Sequence, residues 1–270
     1  LSREDYLDKV EALQQHIRRG DCYEINFCQE FYLENIHADP IALYRRMTAA
    51  SPNPFSALYR VQDAHLVCAS PERFIQKTGD AIISQPIKGT IQRSSSAADA
   101  DELNRQALAS SSKDRAENVM IVDLVRNDFS RICSDGSVQV EELFGIQTFP
   151  QVHHLVSTVR GMLRTDIDFA AIIRACFPMG SMTGAPKKRV MELIDTYEVS
   201  RRGIFSGAVG YIDPKGDFDF NVVIRSIMYN AQTGYLSYQA GSGITHYSNP
   251  QLEYDECLLK ASAIKKVLAG

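Results

Sequence analysis

Apolar positions along this chain switch repeatedly between a helical and a strand period. Over residues 2–19, Tyr6, Val10, Leu13 and Ile17 recur at three- and four-residue steps, which predicts an amphipathic helix. Ser2 caps it, Asp5 stands at its third position and Gly20 stops it. Residues 21–33 are β-rich, and Pro40 opens a short helix that runs through Met47. Residues 55–59 and 65–68 read as strands that turn around Gln62-Asp63. Residues 74–77 and 81–84 form a hairpin across Thr78-Gly79-Asp80. Ser94-Ser95-Ser96, then Ala97-Ala98-Asp99, is a polar loop into a helix over 99–109, and a longer helix covers 113–129.

Strands follow over 138–146 and 152–163, with His153 and His154 pointing to opposite sides, so that at least one faces inward. Residues 168–176 are helical, and a Gly/Pro-rich loop leads into a helix over 186–197. Long strands over 206–212 and 218–228 are joined by Asp213-Pro214-Lys215-Gly216, with Arg225 inside the second. A strand over 235–240 runs into Gly241-Ser242-Gly243-Ile244. Pro250 opens the last helix, where Glu253, Glu256, Lys260 and Ile264 form one stripe. Tyr254, Cys257, Leu258, Ala261 and Leu268 form its apolar stripe.

The 270 residues are 44% hydrophobic and 23% charged, enough for a sizeable core in a globular chain. A net charge of −4 argues against a nucleic-acid surface and against affinity for anionic membranes. No apolar run is long enough to span a bilayer, and no signal peptide opens the chain, so the expected compartment is the cytoplasm. The six cysteines (22, 28, 68, 133, 176 and 257) contain no C-x-x-C pair, which fits reduced thiols. The chain begins at Leu1, which is consistent with a trimmed chain.

Ser84-Gln85-Pro86-Ile87-Lys88-Gly89-Thr90 carries the first candidate chemistry. Pro86 marks a strand end, and Lys88 stands between Ile87 and a glycine that permits close approach. The hairpin before it brings Glu72 near Lys88, either as an ordinary salt bridge or as an acid and a nucleophile. Glu117 is placed in the first turn of its helix, where the dipole favours an anion. Backbone amides at the start of the 186–197 helix suit an anion, although the loop lacks the P-loop pattern. Arg225 in an apolar run needs a partner or a ligand carboxylate, and the amides of 241–244 suit one too. Glu253 and Glu256 with Glu117 would make a hard oxygen site suited to Mg²⁺, or else a solvated face with i, i+4 pairing to Lys260.

Six ordered stretches resemble the chorismate-utilising enzymes, over nearly the whole chain. They are Ser70-Pro71-Glu72, Pro86-Ile87-Lys88-Gly89-Thr90, Ala116-Glu117-Asn118 with the following Asp123-Leu124-Val125-Arg126-Asn127-Asp128, residues 180–187, Gly207-Ala208-Val209-Gly210-Tyr211, and Gly241-Ser242-Gly243 with Glu253-Tyr254-Asp255-Glu256. The resemblance implies an α+β fold, two β-sheets packed as a sandwich with helices outside. It implies one chorismate-binding catalytic domain over 1–270, without the region that usually precedes it in the family. Lys88 is similar to the branch that aminates chorismate at C4, towards p-aminobenzoate and folate. The branch that makes anthranilate typically has alanine there. Isochorismate-forming members carry a base lysine at the position of Glu24, which speaks against water activation here.

By that resemblance, Glu117 and Glu256 hold Mg²⁺ with Glu253 close by, Lys88 is the nucleophile and Glu72 the acid. Lys88 is then expected to fall from roughly 10.4 towards about 7–8, and burial to raise Glu72. Arg225, Tyr211, Lys260 and the backbone of Gly241, Ser242 and Gly243 are implied as the carboxylate clamp, with Thr90 beside the substrate and His154 on the leaving-group side. Ammonia is expected from a glutamine amidotransferase subunit. The alternatives are anthranilate formation by C2 amination with pyruvate loss, isochorismate formation, and a catalytically silent subunit that binds chorismate or a partner.

Overall fold

The computed structural model describes residues 1–94 and 98–269. In chain order the first elements are α1 (Arg3–Arg18), β1 (Glu24–Leu33), α2 (Pro40–Ala50), β2 (Phe55–Val61), β3 (Ala64–Ser70), β4 (Arg73–Thr78), β5 (Ala81–Gln85) and β6 (Ile87–Gln92). Next come α3 (Ala98–Ser110), α4 (Ser112–Ser130), β7 (Gln139–Thr148), β8 (Val152–Met162), α5 (Phe169–Cys176), β9 (Gly184–Ala185) and α6 (Lys187–Tyr197). The last are β10 (Gly210–Ile212), β11 (Phe218–Asn221), β12 (Ser226–Asn230), β13 (Tyr235–Ile244) and α7 (Pro250–Ala269). Both sheets are antiparallel, within the expected α+β class. The polar loop expected at 94–97 lies largely outside the described residues.

The chain divides into two compact units. The first contains residues 1–71, 182–207 and 223 onward, and holds a six-stranded sheet in the order β2-β3-β12-β13-β1-β9. Its longest ladder pairs β1 with β13, from Ile25 opposite Ile244 to Leu33 opposite Leu236. Ser2 and Asp5 close a capping box on α1, which satisfies amides at the helix start and turns Tyr6, Val10 and Leu13 inward. They meet Phe27 of β1, Ile227 of β12, and Cys257, Ala261 and Ile264 of α7 in one apolar core. Leu258, expected on the apolar stripe of α7, is exposed, whereas Glu253 is buried. The helix is therefore rotated so that a carboxylate faces in.

The second unit contains residues 72–181 and 208–222, with a sheet ordered β10-β11-β4-β5-β8-β6 and β7 on β8. The hairpin β4–β5 is as expected, but β6 follows Pro86 at once and was not foreseen, because one proline separates two strands that both pair with β8. Helix α4 packs on β6 and β8 through Ile121, Val122, Val125 and Phe129.

The expected strand over 218–228 is two strands in two sheets. Phe220 pairs with Ile75 in the second unit, whereas Ile227 pairs with Val67 in the first. The apolar run Val222-Val223-Ile224 is buried or half-buried without being a continuous strand, which is why periodicity alone joined it. Arg225 is thus not mid-strand. It precedes β12 with φ 51°, a left-handed conformation uncommon for a non-glycine residue.

Candidate active site

In the second unit the β4–β5 hairpin sets Arg73 opposite Gln85, so Glu72 stands beside the Pro86–Lys88 corner. Glu72 is buried, and burial pushes its carboxyl up to about 7. Bonds from the Ser181 hydroxyl and the Ile87 amide, and the charge of Lys88, act in the opposite direction and are outweighed. Lys88 Nζ lies 3.8 Å from Glu117 Oε2, with both side chains about nine-tenths buried. Lys113 Nζ approaches the other Glu117 oxygen at 3.9 Å. The elements thus bring together an acid held near neutrality, a buried lysine and a second carboxylate.

Glu117 stands in the second turn of α4 and not in the first, because the helix starts at Ser112 and Asp114 occupies its first turn. Its anionic role is therefore toward Lys88. Asp128, which lies near the polar end of α4, is 6% exposed. Gly89 has φ +88°, and a Cβ there would stand 2.9 Å from the Asp114 side chain. Glycine lets β6 bend past α4 immediately after the lysine.

Thr90 lies opposite His154 in the β6–β8 register, with the hydroxyl 2.8 Å from Nδ1. Both histidines are buried, although they point to opposite sides. His153 finds cover through Thr148 and through Asp101 of α3, which Arg93 also grips. Asp101 is drawn down to about 2, chiefly by that Arg93 bond. Tyr211 is exposed on the edge strand β10.

In the first unit, Gly241, Ser242 and Gly243 lie inside β13, opposite Cys28, Phe27 and Asn26. A Cβ on Gly241 would come 2.1 Å from the Phe27 carbonyl oxygen, so only glycine fits. Lys260 donates to the Gly241 carbonyl at 2.9 Å and pairs with Glu256 at 2.7 Å. The Arg225 guanidinium makes no hydrogen bond or ion pair among the described residues, and burial pulls its pKa below the ordinary value. A half-buried cation in this state favours an anionic ligand. Sequence reasoning missed Ser181 and the buried Glu198–Arg202 pair. In that pair Arg202 grips Glu198 at 2.6 Å and donates to the Met182 and Asn26 carbonyls. Arginine four residues after glutamate was the available signal.

Among the described residues no three His, Cys, Asp or Glu side chains cluster as a metal site. Glu117 belongs to one unit, and Glu253 and Glu256 to the other. Carboxylates are the hard oxygen donors that Mg²⁺ takes, so the chemistry of each of these residues by itself suits such an ion. All six cysteines are buried and unbridged. No described helix is long and apolar enough to cross a membrane.

A buried acid held near neutrality beside a largely buried lysine gives the second unit the pair of groups that acid–nucleophile chemistry requires. Residues 1–266 match the family described as chorismate binding enzyme, and the chain belongs to it. It is 43% identical over 264 residues to aminodeoxychorismate synthase component 1 of Klebsiella aerogenes, covering 98% of this chain and 58% of that protein. It is 36% identical to anthranilate synthase alpha subunit 1 of Oryza sativa subsp. indica, covering 99% and 49%. The crystal structure of anthranilate synthase component I from Streptococcus pneumoniae superposes with a TM-score of 0.87 at 32% identity, covering 98% and 58%. The chain thus spans about half the length of the curated relatives it matches.

Proposed function

We propose that the chain aminates chorismate at C4 to give 4-amino-4-deoxychorismate, on the route to p-aminobenzoate and folate. The observation that carries this reading is the buried Lys88 placed between Glu117 and the raised acid Glu72. Lys88, as a neutral amine, attacks ring C2. The ring double bonds shift and the C4–O bond breaks. Glu72 gives its proton to the departing hydroxyl, which leaves as water. Ammonia then forms the C–N bond at C4, the double bonds shift back, and Lys88 leaves as the free amine. Glu72, now a carboxylate, takes the proton that the added nitrogen sheds. A carboxyl near 7 serves both halves, because acid and base forms are both populated at neutral pH.

Arg225 supplies the charge that holds a substrate carboxylate, and the Thr90–His154 pair lines the leaving-group side. Glu117, Glu253 and Glu256 are the residues that would hold Mg²⁺. When bound, that ion offsets the ring carboxylate charge and draws electron density into the ring. The name component 1 on the relatives supports a partner subunit, and a glutamine amidotransferase is the source of ammonia that fits. The burial of all six cysteines supports this, since a buried thiol is a poor glutaminase nucleophile.

The test is product analysis with chorismate, Mg²⁺ and ammonium salt. The expected product is aminodeoxychorismate, and anthranilate would overturn the reading. Lys88→Ala should abolish C4 amination. Unchanged formation would remove the covalent role.

A further inference from the structure

Ser157, midway along β8, has no exposed surface and bonds to three other segments of the second unit. Its amide donates to the Pro86 carbonyl at 3.2 Å, two residues before Lys88. Its hydroxyl accepts from the Phe144 amide of β7 at 3.0 Å and donates to Asn118 Oδ1 of α4 at 2.5 Å. Asn118 directly follows Glu117 and is also fully buried. Its Nδ2 group meets no hydrogen-bond partner among the described residues. A buried amide with unmet hydrogens destabilises a fold, and an apolar side chain of the same shape would not carry that cost. Stability alone therefore does not account for asparagine at this position.

We infer that Ser157 and Asn118 are positioning residues for Lys88, which set the spacing between its amine and Glu117. Ser157 holds the corner before Lys88 through its backbone, and the turn of α4 that bears Glu117 through its side chain. Both ends of the 3.8 Å approach of Lys88 to Glu117 are thus registered to one residue. The strand ladder does not do this by itself, because the register of β6 on β8 shifts between Ile87 and Thr90, where Lys88 stands. A nucleophile displaced by about an ångström loses much of its rate. The inference deepens the amination reading and rests on it for the meaning of Lys88, but not for the tie itself.

The test is competitive labelling of lysines with acetic anhydride in the full chain, read by mass spectrometry, with and without the double replacement Ser157→Ala and Asn118→Leu. Removing both partners of a buried hydrogen bond costs far less than removing one, so the fold should survive. Lys88, whose side chain is 10% exposed, should label several-fold faster in the variant, measured against the exposed Lys215. An unchanged ratio in the folded variant overturns the inference. Ser157→Ala alone removes one hydroxyl and adds no bulk, and it gives the same reading if the double variant does not fold. In steady-state amination kcat should fall about tenfold or more, with the chorismate KM held within about twofold. A pair that served only the fold would leave both constants of the folded variant in place, and that result also overturns the inference. Labelling reads Lys88 whether or not the chain turns over chorismate. Failure of the amination assay and failure of the tie are therefore distinguishable.

Discussion

Replacing Glu72 with glutamine should stabilise the protein above neutral pH while it destroys turnover. The carboxyl is held at about 7 in the fold against an ordinary 4.5, with burial as the main cause. Between those values the unfolded chain has released this proton and the folded chain has kept it. Stability therefore falls as pH rises through that window, and the loss is complete above about 7. The linked cost is about 3 kcal/mol. Glutamine is neutral throughout and still offers an oxygen to the Ser181 hydroxyl. The assay is urea unfolding of both proteins at several pH values from 4 to 8, read as the difference between them. Carboxylates that titrate alike in both proteins, such as Asp101 near 2, cancel in that difference. The variant should match the parent near pH 4 and exceed it by about 3 kcal/mol at pH 8. A difference that stays flat with pH would refute the raised acid. The same substitution should cost about 10²–10⁴-fold in C4 amination.

Arg202→Ala should cost about 3–5 kcal/mol in urea unfolding, because it strands the Glu198 carboxylate, only 4% exposed, without its counter-charge. A loss under 1 kcal/mol would mean that water reaches Glu198. Gly89→Ala should cost about 1–3 kcal/mol from the left-handed backbone and the approach to Asp114, read as a lowered urea midpoint. Arg225→Met should raise the chorismate KM about tenfold or more without lowering the melting temperature, since it removes a half-buried cation that makes no ion pair among the described residues. A lowered melting temperature would show that the fold needs Arg225 as well.

Local chemistry was legible in the sequence where one short stretch decides it. The capping box at Ser2, the hairpin around Gly79 and the pairing of Glu72 with the Lys88 corner all follow from residues close in the chain. The misreadings share a physical origin. Val222-Val223-Ile224 looks like strand interior because it is apolar, yet it carries the chain from one sheet to the other. Asp128 looks like a solvated helix end because its neighbours are polar, yet a small cavity below α4 takes it in. The strand read over 235–240 continues through Gly241-Ser242-Gly243 because β1 pairs with it there, and its close approach demands glycine at 241. Burial is set by partners distant in sequence, and no local period encodes them.

The sheet of the first unit is assembled from the outside in. Its order β2-β3-β12-β13-β1-β9 places the last two strands of the chain at its centre. A ribosome therefore releases β2–β3 and β1 long before the pair that joins them exists. Both halves wait with open edges until residue 244 has emerged. The excursion over 208–222 adds a second dependency, because it returns to finish the other sheet only after residues 182–207 have been laid into the first. No single cut of the chain yields both units whole. A nonsense mutation between β9 and β13 would remove the seam of the first sheet while keeping both its ends, leaving the β2–β3 and β1–β9 pairs unjoined and exposed to aggregation.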